Sequence, residues 1–115
     1  MSNLVVDTLT NQDTQLCKAW VNFNGTSTVA IRSSYNVSSI TDNALANYTI
    51  NFTTAMTDAN YVVTGICHSP AVASGALQAP GTSSANQQVG SVKVVTVNMA
   101  DVGFDAEFVQ VAVFR

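Results

Sequence analysis

Residues 48–53 read Tyr48-Thr49-Ile50-Asn51-Phe52-Thr53, with a large apolar side chain at every second position and a small polar one between. A period of two puts alternate side chains on opposite sides of an extended chain, so this segment specifies a strand with one dry and one wet face. The same period recurs along the chain. Val29 and Ile31 alternate with Thr28, Ala30 and Arg32, and Tyr35 and Val37 follow. Trp20-Val21-Asn22-Phe23 opens the series, and 92–97 and 108–114 are further strong runs. In Tyr61-Val62-Val63-Thr64-Gly65-Ile66-Cys67 both faces are mostly apolar, which predicts a strand buried on both sides.

Turn chemistry separates these runs. The expected breaks are Asn24-Gly25, Ser33-Ser34, Asp42-Asn43, Asp58-Ala59-Asn60 and Asp101-Val102-Gly103. Short strands at this spacing predict an all-β fold: an antiparallel β-sandwich or jelly-roll-like barrel of about seven or eight strands, with an N-terminal arm. The arm or edge strand is expected over 1–18, where Leu4, Val5 and Val6 form its one apolar patch and are the expected docking residues. The β domain is expected over 19–115. Within it, about 69–88 lacks periodicity and holds Pro70, Gly75, Pro80 and Gly81, which predicts a long contact-making loop. Trp20, Phe23, Tyr48, Ile50, Phe52, Val63, Val111 and Val113 are the expected core or subunit-interface residues.

Charge narrows the partners. The 115 residues include seven acids, four bases and one histidine, and only 10% are charged against 47% hydrophobic. Four scattered bases on a net-negative chain argue against a nucleic-acid binder working through phosphate contacts. No apolar run approaches the length that spans a bilayer, so no membrane insertion is expected. The N-terminus lacks the basic and apolar regions of a signal peptide, so synthesis in a reducing cytoplasm is expected. The surface must then draw its polarity from Thr, Ser, Asn and Gln. Such groups lose less on drying than Lys and Glu, which favours an extensive protein interface and a symmetric homo-oligomer.

Chemistry-bearing residues are sparse. Cys67 and His68 are adjacent, but neighbours on a strand point to opposite faces, and no metal-ligand spacing accompanies them. Asp101, Asp105 and Glu107 cluster without calcium-loop spacing and read as solvated turn acids. Asn-x-Ser/Thr triplets begin at Asn24, Asn36, Asn47 and Asn51, as an Asn/Thr-rich β composition produces by itself. No nucleotide-binding or nucleophile-elbow motif occurs. No catalytic residue, metal site or cofactor is expected, and the expectation is a protein that is not an enzyme.

The run Lys18-Ala19-Trp20-Val21-Asn22-Phe23-Asn24-Gly25 resembles a module of marine bacteriophage virion structural proteins, including tail-fibre proteins. The continuations Val29-Ala30-Ile31-Arg32, Tyr48-Thr49-Ile50-Asn51-Phe52, Asp58-Ala59-Asn60-Tyr61 and Val111-Ala112-Val113-Phe114-Arg115 are similar to that family too. Where its members often carry a Gly-Thr-Gly turn, this chain has Ala44-Leu45-Ala46, which removes two glycines and puts a leucine at the turn. The resemblance implies a non-enzymatic, trimeric β module on a phage particle. Two roles follow as expectations. One is a capsid decoration or cement protein that stabilises the head by contacting other virion proteins. The other is a tail-fibre or knob module for host attachment, with a surface glycan or receptor as ligand. The short chain without a shaft repeat puts decoration first.

Overall fold

A computed structural model describes residues 16–70, 75–81 and 84–115. The described chain is an all-β sandwich of eight strands: β1 (Cys17–Asn24), β2 (Ala30–Tyr35), β3 (Val37–Ala44), β4 (Asn47–Phe52), β5 (Val62–His68), β6 (Gly75–Gln78), β7 (Ser91–Asn98) and β8 (Phe108–Phe114). Sheet A has the order β2-β1-β8-β5 and sheet B the order β3-β4-β7-β6, with every pairing antiparallel. The chain crosses between sheets after β2, β4, β5 and β7, so neither sheet folds without the other.

The alternation sets the core. Tyr48, Ile50 and Phe52 of β4 face inward with Val92 and Val94 of β7. From sheet A they meet Val21 and Phe23 of β1 and Val109, Val111 and Val113 of β8. Phe23 meets Tyr48 edge-on at 5.2 Å, and Phe52 meets Tyr61 edge-on at 5.8 Å, the arrangement ring quadrupoles favour. Burying each such side chain contributes about 1.5–3 kcal/mol. Val63 is half-buried and packs against this cluster.

Several sequence expectations are corrected. Of the residues expected in the core or a subunit interface, Trp20 lies outside the core, on the outer face of sheet A and 39% exposed, because Ala19 and Val21 take the inward positions of β1. The Tyr61–Cys67 segment is not buried on both sides. The topology makes β5 an edge strand of sheet A, and Val62 and Ile66 point outward, 63% and 55% exposed. Ser33-Ser34 is interior to β2, and the break falls at Asn36, which has φ 57°. Asp42-Asn43 lies within β3, and the turn falls at Leu45-Ala46, where Ala46 adopts φ 62° without a glycine. The segment expected as a loop at about 69–88 contains β6 and a 3-10 turn at Ser84–Asn86. Leu4, Val5 and Val6 lie outside the described residues.

Two structural devices hold the sandwich ends. At the β2–β3 corner, the Asn36 side chain donates to the carbonyls of Lys18 and Thr54 and accepts the Thr54 amide at 2.7 Å. Asn is one of the few residues that tolerates a positive φ while its side chain bonds locally. At the opposite end of β4, Asp105 Oδ1 accepts the Ala46 amide at 2.8 Å and lies 2.9 Å from the Tyr48 hydroxyl. Gly25 is required beside it, because a Cβ there would sit 2.5 Å from that hydroxyl and 2.8 Å from the Ala106 carbonyl.

Candidate functional site

The inward set of sheet A builds the core, so the other set necessarily forms a second surface. Its rows follow from the register. Tyr35, Trp20, Ala112 and Thr64 lie in one row across β2, β1, β8 and β5. Ser33, Asn22, Gln110 and Ile66 form the next. Phe114 pairs with Val62 on one side of these rows, and Phe108 pairs with His68 on the other. Five of the exposed large apolar residues belong to this one face: Trp20, Tyr35, Val62, Ile66 and Phe114. Scattered exposed apolar residues are ordinary, whereas these five share one side of one sheet.

The charged groups stand at the border of this face. Arg32 lies 4.3 Å above the Phe108 ring and donates to the Glu107 carbonyl at 2.7 Å. His68 stacks on Phe108 at 4.7 Å with the rings 13° apart. The Arg32, Phe108 and His68 side chains therefore form one stacked ridge, in which the cation is held by a ring and a carbonyl. The centre carries Trp20, Asn22, Gln110, Ala112, Thr64 and Ile66 and no charge. The Asn22 Oδ1 atom is buried and accepts no hydrogen bond among the described residues. The centre is thus uncharged but half polar, and Tyr35, Val62 and Phe114 stand exposed around it.

Cys67 and His68 take opposite sides of β5, as strand geometry requires. Cys67 is buried, its thiol donates to the Ala76 carbonyl at 3.4 Å, and burial pushes its pKa up, which weakens it as a nucleophile. Asp101, Asp105 and Glu107 are not gathered on one ion. Asp101 accepts from Gln78, Asp105 serves Tyr48 and Ala46, and Glu107 contributes its carbonyl to Arg32. Among the described residues, no three His, Cys, Asp or Glu side chains converge as metal ligands. No helix among them is long and apolar enough to cross a membrane.

The expected core or interface residues thus separate. Phe23, Tyr48, Ile50, Phe52, Val111 and Val113 are buried inside the sandwich, Val63 is half-buried against them, and Trp20 alone reaches the outer face. Sequence reasoning missed Tyr35, Val62, Ile66 and Phe114 as surface residues. The available signal was the doubly apolar pattern of residues 61–67, which was read as burial and instead marks a strand with a second apolar face at a sheet edge. Asp105 was missed as well, since a buried role for a turn acid depends on Tyr48, 57 residues away.

The described residues form a β-sandwich whose outer sheet-A face carries exposed apolar side chains around an uncharged centre. No family model matches the chain, and no curated protein or solved structure does either.

Proposed function

We propose that this chain is a non-enzymatic structural protein of a bacteriophage virion surface, a trimeric decoration or cement protein that stabilises the head. The observation that carries the reading is the outer face of sheet A, where Trp20, Tyr35, Val62, Ile66 and Phe114 stand exposed around an uncharged centre. A face of this kind is suited to burial against protein. The resemblance of the Lys18–Gly25 run to phage virion proteins supplies the particle. In this role the face joins subunits, and Leu4, Val5 and Val6 anchor the trimer on other virion proteins. Several weak contacts per trimer then add to firm seating.

A second reading is a trimeric tail-fibre or knob module for host attachment. The adjacent, exposed Trp20 and Tyr35 favour it, since aromatic faces stack on sugars and lie in one row here.

Antibody labelling of intact particles, viewed by electron microscopy, tests both. Label over the head supports decoration. Label on the tail or fibres moves the assignment to attachment, and unlabelled particles that lack the protein overturn both.

A further inference from the structure

We infer that Asn24 is a modification site whose chemistry the fold holds back: its side chain loses ammonia only when Gly25 is released from Tyr48 and Ala106, and a chain modified there does not close that corner again. The inference goes beyond the virion reading and holds equally for one subunit or three.

The residue types set the reaction. Asn24 is followed by Gly25. In such a pair the backbone nitrogen of the glycine attacks Cγ of the asparagine, since no glycine Cβ shields it. The new N–C bond closes a five-membered succinimide. The Cγ–Nδ2 bond breaks, and that nitrogen leaves as ammonia with the proton of the Gly25 amide. Water then opens the ring. Attack at one carbonyl gives aspartate. Attack at the other gives isoaspartate, whose backbone runs through the former side chain and is longer by one carbon.

In this structure the electrophile is primed. Asn24 Oδ1 accepts the Thr26 amide at 3.0 Å and the Thr26 hydroxyl at 2.7 Å. Negative charge develops on this oxygen as Cγ is attacked, so both donors stand where they lower the barrier. The nucleophile is withheld. Gly25 is buried, and its N–H donates to the Ala106 carbonyl at 2.8 Å. Its own carbonyl accepts the Tyr48 hydroxyl at 2.9 Å, so the residue is tied on both sides. Attack requires the amide to give up its proton and turn toward Cγ, which neither bond permits.

The restraint comes from distant parts of the chain. Tyr48 belongs to β4 and Ala106 to the β7–β8 connection, so sheet B and that connection control a reaction at the end of β1. The glycine is fixed by space: Gly25 is not left-handed, and Ser27 takes the positive φ of this loop, at 53°. The reactive pair therefore follows from the close approach of Tyr48. The isoaspartate product does not fit this corner. Its extra carbon moves Gly25 off Ala106 and Tyr48, and it turns the former Asn24 carbonyl into a free carboxylate where β1 pairs with Ala30.

The test follows the full chain at mildly alkaline pH. Trypsin cleavage after Lys18 and Arg32 releases residues 19–32, and fragment masses with chromatography resolve Asn24 from its aspartate and isoaspartate products. The folded chain is expected to react at least about tenfold more slowly than the same chain in urea, because attack waits on the opened fraction. Tyr48→Phe is expected to raise the folded rate about fivefold or more, whereas Asn36→Ala, at the opposite end of the sandwich, leaves it unchanged. Equal rates in the folded and unfolded wild-type chain overturn the restraint, whatever the variants do. Equal acceleration by both substitutions places the gate in global unfolding and overturns the role of the Tyr48 corner. When chains aged in urea are refolded, isoaspartate is expected to be missing from the protease-resistant fraction. Its presence there in the same proportion as in the whole overturns the one-way step.

Discussion

The hydroxyl of Tyr48 lies 2.9 Å from Asp105 Oδ1, and that same oxygen accepts the backbone amide of Ala46 at 2.8 Å. One carboxylate oxygen thus ties the middle of sheet B to the β7–β8 connection and holds the β3–β4 turn, where Ala46 pays for a left-handed backbone without glycine. Tyr48→Phe removes the phenol donor and leaves a partly buried carboxylate one bond short. The expected cost is about 1–3 kcal/mol. Asp105→Ala is expected to cost as much or more, because it also orphans the Ala46 amide. Urea unfolding with an unchanged m value checks both. Loss of less than half a kcal/mol in each would show that water replaces these bonds freely.

Asn36 makes the corner between the sheets with its backbone and its side chain together. Replacing it by Gly keeps the positive φ and loses the bonds to Lys18, Thr54 and the Thr54 amide. Replacing it by Ala loses the bonds and also strains the backbone by about 1–2 kcal/mol. Stability is therefore expected in the order Asn, Gly, Ala, with Ala lowest. Thermal midpoints of the three proteins check the order, and an Ala variant equal to the Gly variant would contradict it.

Gly65 faces inward on β5, where Leu77 of β6 occupies the space its side chain would need. A Cβ at Gly65 would lie 2.6 Å from Leu77 Cδ1 and would run into the Gln110 carbonyl. The Leu77 side chain can move, but the backbone carbonyl cannot. Gly65→Ala is expected to destabilise by about 1–3 kcal/mol. Adding Leu77→Ala should recover only the side-chain part, so the double-mutant cycle gives a coupling smaller than the Gly65→Ala loss. Full recovery would show that the carbonyl is no obstacle.

The pH limits of stability follow from one exposed ion pair and two buried tyrosines. The Arg115 guanidinium bonds both oxygens of Asp58, at 2.9 and 2.7 Å, and with the Asn60 amide holds the carboxyl down from 3.8 to about 2. The unfolded chain takes up this proton first. The contribution is present above about 3.8 and is lost as pH falls toward about 2. Asp58→Asn is expected to flatten the acid decline across that interval, and urea midpoints at a series of pH values read it. At the alkaline end, burial pushes Tyr61 up from 10.0 to about 12, and burial with the Asp105 carboxylate raises Tyr48 as well. Their stabilisation is complete below 10.0 and is lost as pH rises through the folded values. Phenolate absorbance of these two tyrosines should therefore rise together with unfolding, and a Tyr61→Phe variant should shift the transition to higher pH.

The period-two pattern of Tyr48, Ile50 and Phe52, and the apolar alternation of Val109, Val111 and Val113, were enough to name strands and the side each buries. Those features are local: a strand shows its inward face in its own residues. The turn positions were less legible. Ser33-Ser34 and Asp42-Asn43 have turn chemistry, yet pairing of β2 with β1 and of β3 with β4 carries the strands through them, since ladder bonds to the neighbouring strand outweigh a local preference. Residues 75–78 held too few side chains to show a period, and β7 alone makes them a strand.

The sequence by itself determined an all-β chain with one buried set of alternating side chains and a surface poor in charge. Its residues cannot state which strand ends a sheet. Tyr61–Cys67 is apolar on both sides, and such a pattern suits a central strand or an edge strand whose second face awaits cover. Only the tertiary order β2-β1-β8-β5 decided between them, because exposure of Val62 and Ile66 depends on what lies across the sheet from them. The same order brought Tyr35 and Trp20 into one row with Thr64, and the packing of the two sheets joined Asp105 to Tyr48. The Tyr48–Asp105 bond spans 57 residues and two sheets, so it exists only once both sheets have closed.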